Sequence, residues 1–189
     1  RNAIVMKIAK GGMPIRYWYK DWKSPEGKKS RITPYLYLNL IKNAKRKINK
    51  EKIKTVTFIW MQGEQDAKEK LGEVYEESLI GLYNQLSNDL ERKDINFIIL
   101  RLNDFDMSNI RFPHWTMIRD IQVKVANSNP HFHWIDTDDL NNKVNIIGQN
   151  INNNLDMTVR GYEIMGNRLA EKSIQIIKNT KYNHNYNVV

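Results

Sequence analysis

Thr55-Val56-Thr57-Phe58-Ile59-Trp60 runs directly into Met61-Gln62-Gly63-Glu64-Gln65-Asp66-Ala67. The first half is rich in β-branched and aromatic residues and reads as a strand. The second half sets a carboxamide, a glycine and two acids at the mouth of that strand. A turn leading into a helix, capped by Asp66 or Glu64, accounts for one acid. It leaves Gln62 and Gly63 without a role, so the block points to chemistry as well as to a turn.

Working outward, the same alternation of segments recurs. On the N-terminal side, Ala3 to Ala9 is a short apolar run ending at Gly11-Gly12, which predicts a buried strand and a tight loop. Thr33-Pro34 then opens a helix, with proline at a first-turn position and Tyr35, Leu38, Ile41, Ala44 and Ile48 as its apolar stripe. On the C-terminal side, Glu73 to Arg92 predicts a helix that buries Tyr75, Leu79, Leu82, Leu86 and Leu90. Ile95 to Leu102 is a strand, Pro113 to Ala126 a helix, and Phe132 to Asp136 a strand. Asn141 to Asn154, with seven Asn and one Gly, reads as a loop. Thr158 to Lys178 is a long helix with Tyr162, Met165, Leu169 and Ile176 facing inward. Strands alternating with helices in this way give an α/β fold, a parallel sheet covered on both faces.

Ligands of such sheets bind beyond the carboxyl ends of the strands. Three loops are therefore of interest: 10–15, 61–67 and 150–158. Paired glycines at 11 and 12 leave backbone N–H groups bare, although Gly-Gly also marks ordinary turns. The chain has 189 residues, 41% of them hydrophobic, which suits one domain over 1–180 with a flexible tail at 181–189. The absence of cysteine excludes disulfides, zinc ribbons and a thiol nucleophile. No apolar run is long enough to span a membrane. A net charge of +9 invites a polyanion partner. The densest basic run (Lys42, Lys45, Arg46, Lys47, Lys50, Lys52, Lys54) carries no interleaved aromatics, so it reads as a solvated face and no nucleic-acid partner is expected.

Trp60-x-Gln62-Gly63-Glu64-x-Asp66-Ala67 resembles the signature of the sialate O-acetylesterase-like branch of the SGNH (GDSL) hydrolases, carbohydrate esterases that include acetyl xylan esterases. The likeness extends along the chain. Ile4 to Ile15 resembles the family's strand ending in Gly-Gly-Thr, with Met13 where threonine is usual. Arg119-Asp120-Ile121-Gln122 resembles its Arg-x-x-Gln helix, Ile135 to Leu140 its strand-end Asp segment, and Thr158 to Ala170 its closing helix. The resemblance implies a flavodoxin-like three-layer α/β/α sandwich. It implies an oxyanion hole from the Gly12 backbone N–H and the Gln62 side-chain amide, with donors of this kind worth roughly 3–4 kcal/mol each. Gly11, Gly63, Glu64, Asp66, Arg119 and Gln122 would line the site. The substrate implied is an acetylated carbohydrate or another small ester, with no cofactor and no metal.

Two departures stand out. The family's Ser nucleophile sits in a Gly-x-Ser-Asn block, and none of the seven serines (Ser24, Ser30, Ser78, Ser87, Ser108, Ser128, Ser173) is flanked by glycine. The expectation is that the leading strand and its serine lie upstream of Arg1, so that the sheet lacks its first strand. The family's Asp-x-x-His is the second departure: Asn153 stands at the Asp position and Asp156 at the His position. An aspartate shuttles protons poorly near neutral pH unless its pKa is raised. Of the histidines, His131 and His133 flank the last strand at the wrong end of the sheet, His184 is in the tail, and His114 completes the set. Three classes stay open: a carbohydrate-ester hydrolase, a non-catalytic relative that binds acetylated glycans, and a basic polyanion binder.

Overall fold

A computed structural model describes residues 3–48, 51–144, 147–151 and 154–185. Three parallel strands form its sheet in the order β1 (Thr57–Trp60), β2 (Asn96–Leu100), β3 (Phe132–Ile135). The register pairs Phe58 with Phe97 and Phe97 with Phe132, then Trp60 with Ile99 and Ile99 with Trp134. All five residues of β2 are buried, as an apolar central strand with both faces covered must be. Side chains alternate across a strand, so each face draws its own helices. Phe97 and Ile99 join a core with Tyr75, Leu79, Leu82 and Leu86 of α3 (Gly72–Asp89) and Ile118, Ile121 and Val125 of α4 (Trp115–Ala126). Ile98, Leu100 and Ile135 meet Met165, Leu169 and Ile176 of α5 (Val159–Asn185) on the other face. The result is the three-layer α/β arrangement expected from the alternation of segments.

The aromatic density explains the order of the first core. Phe97 stacks on Phe58 and Tyr83 with ring centroids 5.3 and 5.8 Å away, and meets Phe132 edge-on at 5.3 Å. Such offset and edge contacts are the arrangements aromatic quadrupoles favour. The Tyr83 hydroxyl donates to the Ile95 carbonyl, so its polar tip is not stranded inside.

The apolar run Ala3 to Ala9 is not a strand. It has no regular secondary structure and no ladder partner among the described residues, and Val5 is 88% exposed; of the run, only Ile8 packs against the core. Strand propensity expresses fit to a pleated, half-buried surface, and among the described residues no neighbouring strand supplies one. The stripe of α1 (Tyr35–Ile48) is rotated from expectation. Tyr35 and Leu38 are exposed, while Leu36 and Tyr37 are buried beside Ile41 and Ala44. Tyr35 to Ile41 is apolar at six of seven positions, so period alone cannot choose a face. The choice is made by Tyr37, whose hydroxyl donates to Asp89 at 2.6 Å.

Four smaller differences follow. Tyr162 is 44% exposed and Leu90 half-buried, although both were expected inside. The turn after β1 contains a short helix, α2 (Glu64–Lys68). The Asn-rich stretch holds an antiparallel pair, β4 (Lys143–Val144) and β5 (Asn150–Ile151), so it is not wholly loop. Helix α5 continues past Lys178 to Asn185, into the segment read as tail. Among the described residues no helix is long and apolar enough to cross a membrane.

Candidate active site

Gln62 leaves β1 pointing inward and is held from several sides. Its Nε2 donates to Asp66 Oδ2 at 2.5 Å and to the Met13 carbonyl at 3.3 Å. The Tyr75 hydroxyl donates to the Gln62 carbonyl at 2.7 Å and itself accepts from the Trp60 indole N–H at 3.1 Å. Gln122 completes the lattice: its Nε2 donates to the Gln62 carbonyl at 2.9 Å, and its Oε1 accepts the Leu102 N–H at 2.8 Å. A glutamine can both give and accept in one plane. Gln122 thereby ties the exit of β1 to the exit of β2.

Asp66 is fully buried and joins two loops. Its Oδ2 accepts the Ile15 N–H at 2.9 Å as well as the Gln62 amide, while Oδ1 is buried without a partner. Burial pushes its pKa up to about 7, against the opposing pull of the Gln62 and Ile15 donors and the Arg16 charge. Near neutrality the carboxyl is therefore partly protonated, and the unpartnered Oδ1 is the oxygen free to carry the proton.

Gly63 makes the turn of this loop. Its φ of +154° disfavours a side chain, and a Cβ there would lie 2.9 Å from Ile118 Cγ2. Glu64 follows as the first residue of α2, its Oε2 accepting the Gly63 N–H at 3.0 Å. Burial pushes the Glu64 carboxyl above the usual range; its backbone donors pull it down, and negative charge on Asp156 adds to the rise.

Beside Glu64 a pocket of about 70 Å³ opens at the carboxyl ends of β1 and β2. It is lined by Met61, Glu64, the Leu100 to Asn103 exit, Trp115, Leu155, Asp156, Met157 and Tyr162. Whole-ligand clefts run to roughly 300–1,000 Å³, so this space takes one substituent of a ligand and not a sugar ring. The loop before α5 is pinned over it by amides. Asn103 Nδ2 donates to the Asn154 and Leu155 carbonyls at 3.2 and 3.0 Å, and Asn141 and Asn154 exchange side-chain to backbone bonds. Thr158 Oγ1 accepts the Gly161 N–H and caps α5. A Cβ on Gly161 would strike the Leu140 carbonyl, which is why that helix starts with glycine in its first turn.

The residues singled out from sequence divide into groups. Glu64 and Asp156 both line the pocket. Gln62, Gly63, Asp66 and Gln122 form the buried layer beneath it. Arg119 is structural in its contacts: it clamps Asp138 through both guanidinium nitrogens and donates to the Leu102 carbonyl. Gly11 and Gly12 are exposed outside the pocket lining, and a Cβ on either would meet no atom within 4 Å. Their loop is nevertheless drawn to Gln62 through the Met13 carbonyl. Asn153 lies outside the described residues. Among the described residues the pocket lining contains no serine and no histidine. His131 and His133 sit at the opening end of β3, away from it, and His114 Nδ1 accepts the Gly72 N–H. Among the described residues no three His, Cys, Asp or Glu side chains gather as metal ligands.

Sequence reasoning passed over Arg101 to Asn103 and Trp115. The signal was available, since the rule that directs attention to strand exits applies to β2 as much as to β1. A family model described as carbohydrate esterase, sialic acid-specific acetylesterase, matches residues 2–175. A search of curated proteins returned no match.

Proposed function

Because the chain belongs to this carbohydrate esterase family of sialic acid-specific acetylesterases, we propose that its pocket receives the acetyl group of an O-acetylated sugar. The sugar ring lies across the rim formed by Asp156, Tyr162 and Met61. The observation that carries this reading is the pocket itself: acyl-sized, at the strand exits, and lined by Met61 and Glu64 of the loop after β1. The chemistry such a site serves is attack of a serine hydroxyl on the ester carbonyl, release of the sugar hydroxyl, and hydrolysis of the acyl-serine by water. By resemblance the Gly12 N–H and a Gln62 amide hydrogen would be the donors for the developing oxyanion, although neither residue lines the pocket itself. Both Gln62 Nε2 hydrogens are directed at Asp66 and Met13, so donation requires the amide to release one of them.

By resemblance Asp156 stands where the family has its histidine, and among the described residues no serine lines the pocket. We therefore read the domain as an acetyl-sugar site with a degenerate triad. Titration of a 6-O-acetylated N-acetylhexosamine, followed through the Trp115 indole resonance, should give saturable shifts. The same sample should release no acetate beyond the rate in buffer. Acetate release at enzymatic rates ends the degenerate reading, and absence of any shift at Trp115 ends the assignment of the pocket.

A further inference from the structure

The positive charge of this chain is not spread along it. Residues 1–54 hold sixteen Lys and Arg against three Asp and Glu, a net +13, while residues 55–189 hold fourteen against eighteen, a net −4. A lysine-rich composition alone would distribute the excess in proportion to length. A split of this size within one domain marks a charged surface. The acids of the larger part do not cancel it. Among the described residues of 1–54 only Arg16 and Lys20 form ion pairs, with Glu69 and Asp89, and the other Lys and Arg side chains there are exposed.

The backbone itself holds like charges together. Lys23 and Lys29 face each other across an antiparallel bridge. The flanking bonds run from the Ser24 N–H to the Lys28 carbonyl and from the Ser30 N–H to the Trp22 carbonyl. They make this the non-hydrogen-bonded kind of pair, in which opposed side chains come closest. Two lysines so placed repel each other. Asp21 and Glu26 are the only acids before Glu51, and Glu26 bonds Ser24 instead. A string of close contacts then joins this hairpin to α1. The Arg16 guanidinium lies within 6 Å of the Trp22 and Tyr17 ring centres, at 5.8 and 5.9 Å. Tyr17 meets Tyr35 edge-on at 5.6 Å, and Lys10 sits 5.4 Å from the Tyr35 ring centre. The basic hairpin and the start of α1 are one continuous region.

Apolar side chains share the solvent side of α1. Tyr35, Leu38, Lys42 and Lys45 recur at helical spacing and are all exposed, Leu38 at 43%. A nucleic-acid groove would use the lysines and has no place for Leu38. The interface of a bilayer uses both, since apolar tips enter the acyl boundary while lysine ammonium groups stay among the lipid phosphates. We propose that the 22–30 hairpin and the solvent side of α1 form a docking surface for an anionic lipid bilayer. Lys23, Lys29, Lys42 and Lys45 meet the head groups, and Tyr35 and Leu38 reach the acyl boundary. The proposal does not depend on what the pocket binds.

Co-sedimentation of the full chain with vesicles tests it, using phosphatidylcholine alone or with one third phosphatidylglycerol, at about 0.1 M salt, where screening acts over about 10 Å. The chain should sediment with the anionic vesicles and stay in solution with the neutral ones. Lys42→Gln with Lys45→Gln, or Lys23→Gln with Lys29→Gln, should weaken partitioning by about fivefold per lysine removed. Lys124→Gln with Lys178→Gln removes the same charge outside residues 1–54 and should change partitioning by less than about twofold. Leu38→Gln should weaken vesicle binding severalfold. All of these positions are exposed, so the variants keep the fold. Equal partitioning onto both vesicles, or equal losses from the paired variants inside and outside the surface, overturns the proposal. Duplex DNA that strips the chain from anionic vesicles, with Leu38→Gln neutral toward both, assigns the surface to nucleic acid and overturns the bilayer.

Discussion

Two loops of this molecule carry the same kind of sequence, an apolar run that ends in glycine, and they have different fates. The loop after β1 is locked. Gln62, Gly63 and Asp66 are buried and joined to α3, α4 and the exit of β2 by Tyr75 and Gln122. The loop at Gly11-Gly12 is open, its preceding segment exposed and unpaired, and it reaches the rest of the site through Met13 and Ile15 alone. What separates them is the neighbour. Thr57–Trp60 has β2 beside it, and Ala3 to Ala9 has no strand beside it. Strand-forming side chains become a strand only where a ladder and a covering layer satisfy the backbone and bury the apolar face.

Alanine substitution at the two loops' glycines is the strongest way to break this comparison. Both glycines have positive φ, +154° at Gly63 and +68° at Gly12. Gly63→Ala adds a clash with Ile118 to the backbone strain and should cost about 3 kcal/mol. Gly12→Ala meets open space and should cost about 1 kcal/mol, the backbone contribution alone. Denaturant midpoints measure both, and equal losses would mean that the two loops are equally packed.

Asp66 sharpens the comparison because it is the strap between the loops. Its folded pKa of about 7 lies above the ordinary value of 3.8. The stability it contributes is therefore complete below about pH 4. It is lost as pH rises toward 7, as the unfolded chain releases a proton that the folded one retains. Asp89 and Asp139 act in the opposite direction. Burial raises the Asp89 carboxyl but Lys20 and Tyr37 outweigh it, and Arg168 lowers Asp139, so these two lose stability at acid pH. Unfolding followed from pH 3 to 8 should show a maximum near the lower end of the Asp66 window. Asp66→Asn should flatten the decline toward pH 7 and leave the acid limb in place. In parallel, the Ile15 amide and Gln62 side-chain resonances should titrate together in the parent and stop doing so in the variant.

The smallest expected effect tests the open loop directly. Val5→Asp, at a site 88% exposed, should change stability by no more than about 0.5 kcal/mol, the range of ordinary surface substitutions. A thermal melt displaced by several degrees would show that the segment packs more firmly than its exposure indicates.

Much of the architecture was legible because periodicity reports burial. Phe97, Ile98, Ile99 and Leu100 form a run too apolar for a half-exposed strand, and Tyr75, Leu79, Leu82 and Leu86 keep helical spacing on one face. Where apolar residues crowd all around a helix, as in Tyr35 to Ile41, the period stops being informative and a single hydrogen bond from Tyr37 decides the rotation. The same division holds for the site. Gln62, Glu64 and Asp66 stood out because packing alone has little use for two acids and an amide at a strand exit. Asn103 and Trp115 did not, since an asparagine in a loop and a tryptophan at a helix start are common features with many uses.

By itself the sequence determined the order of the three sheet strands and of the long helices between and after them, the inward face of α3, and the family signature at the exit of β1. These depend on neighbours along the chain, whose spacing the sequence states outright. Only the tertiary structure decided that Ala3 to Ala9 stays unpaired, that Asp66 straps two loops 51 residues apart in the chain, and that Arg101 bonds Asp136 and Asp138. It also brought Glu64 and Asp156 to one pocket. Those outcomes turn on which groups meet through space, because burial and pairing energies belong to the contact and not to either residue alone.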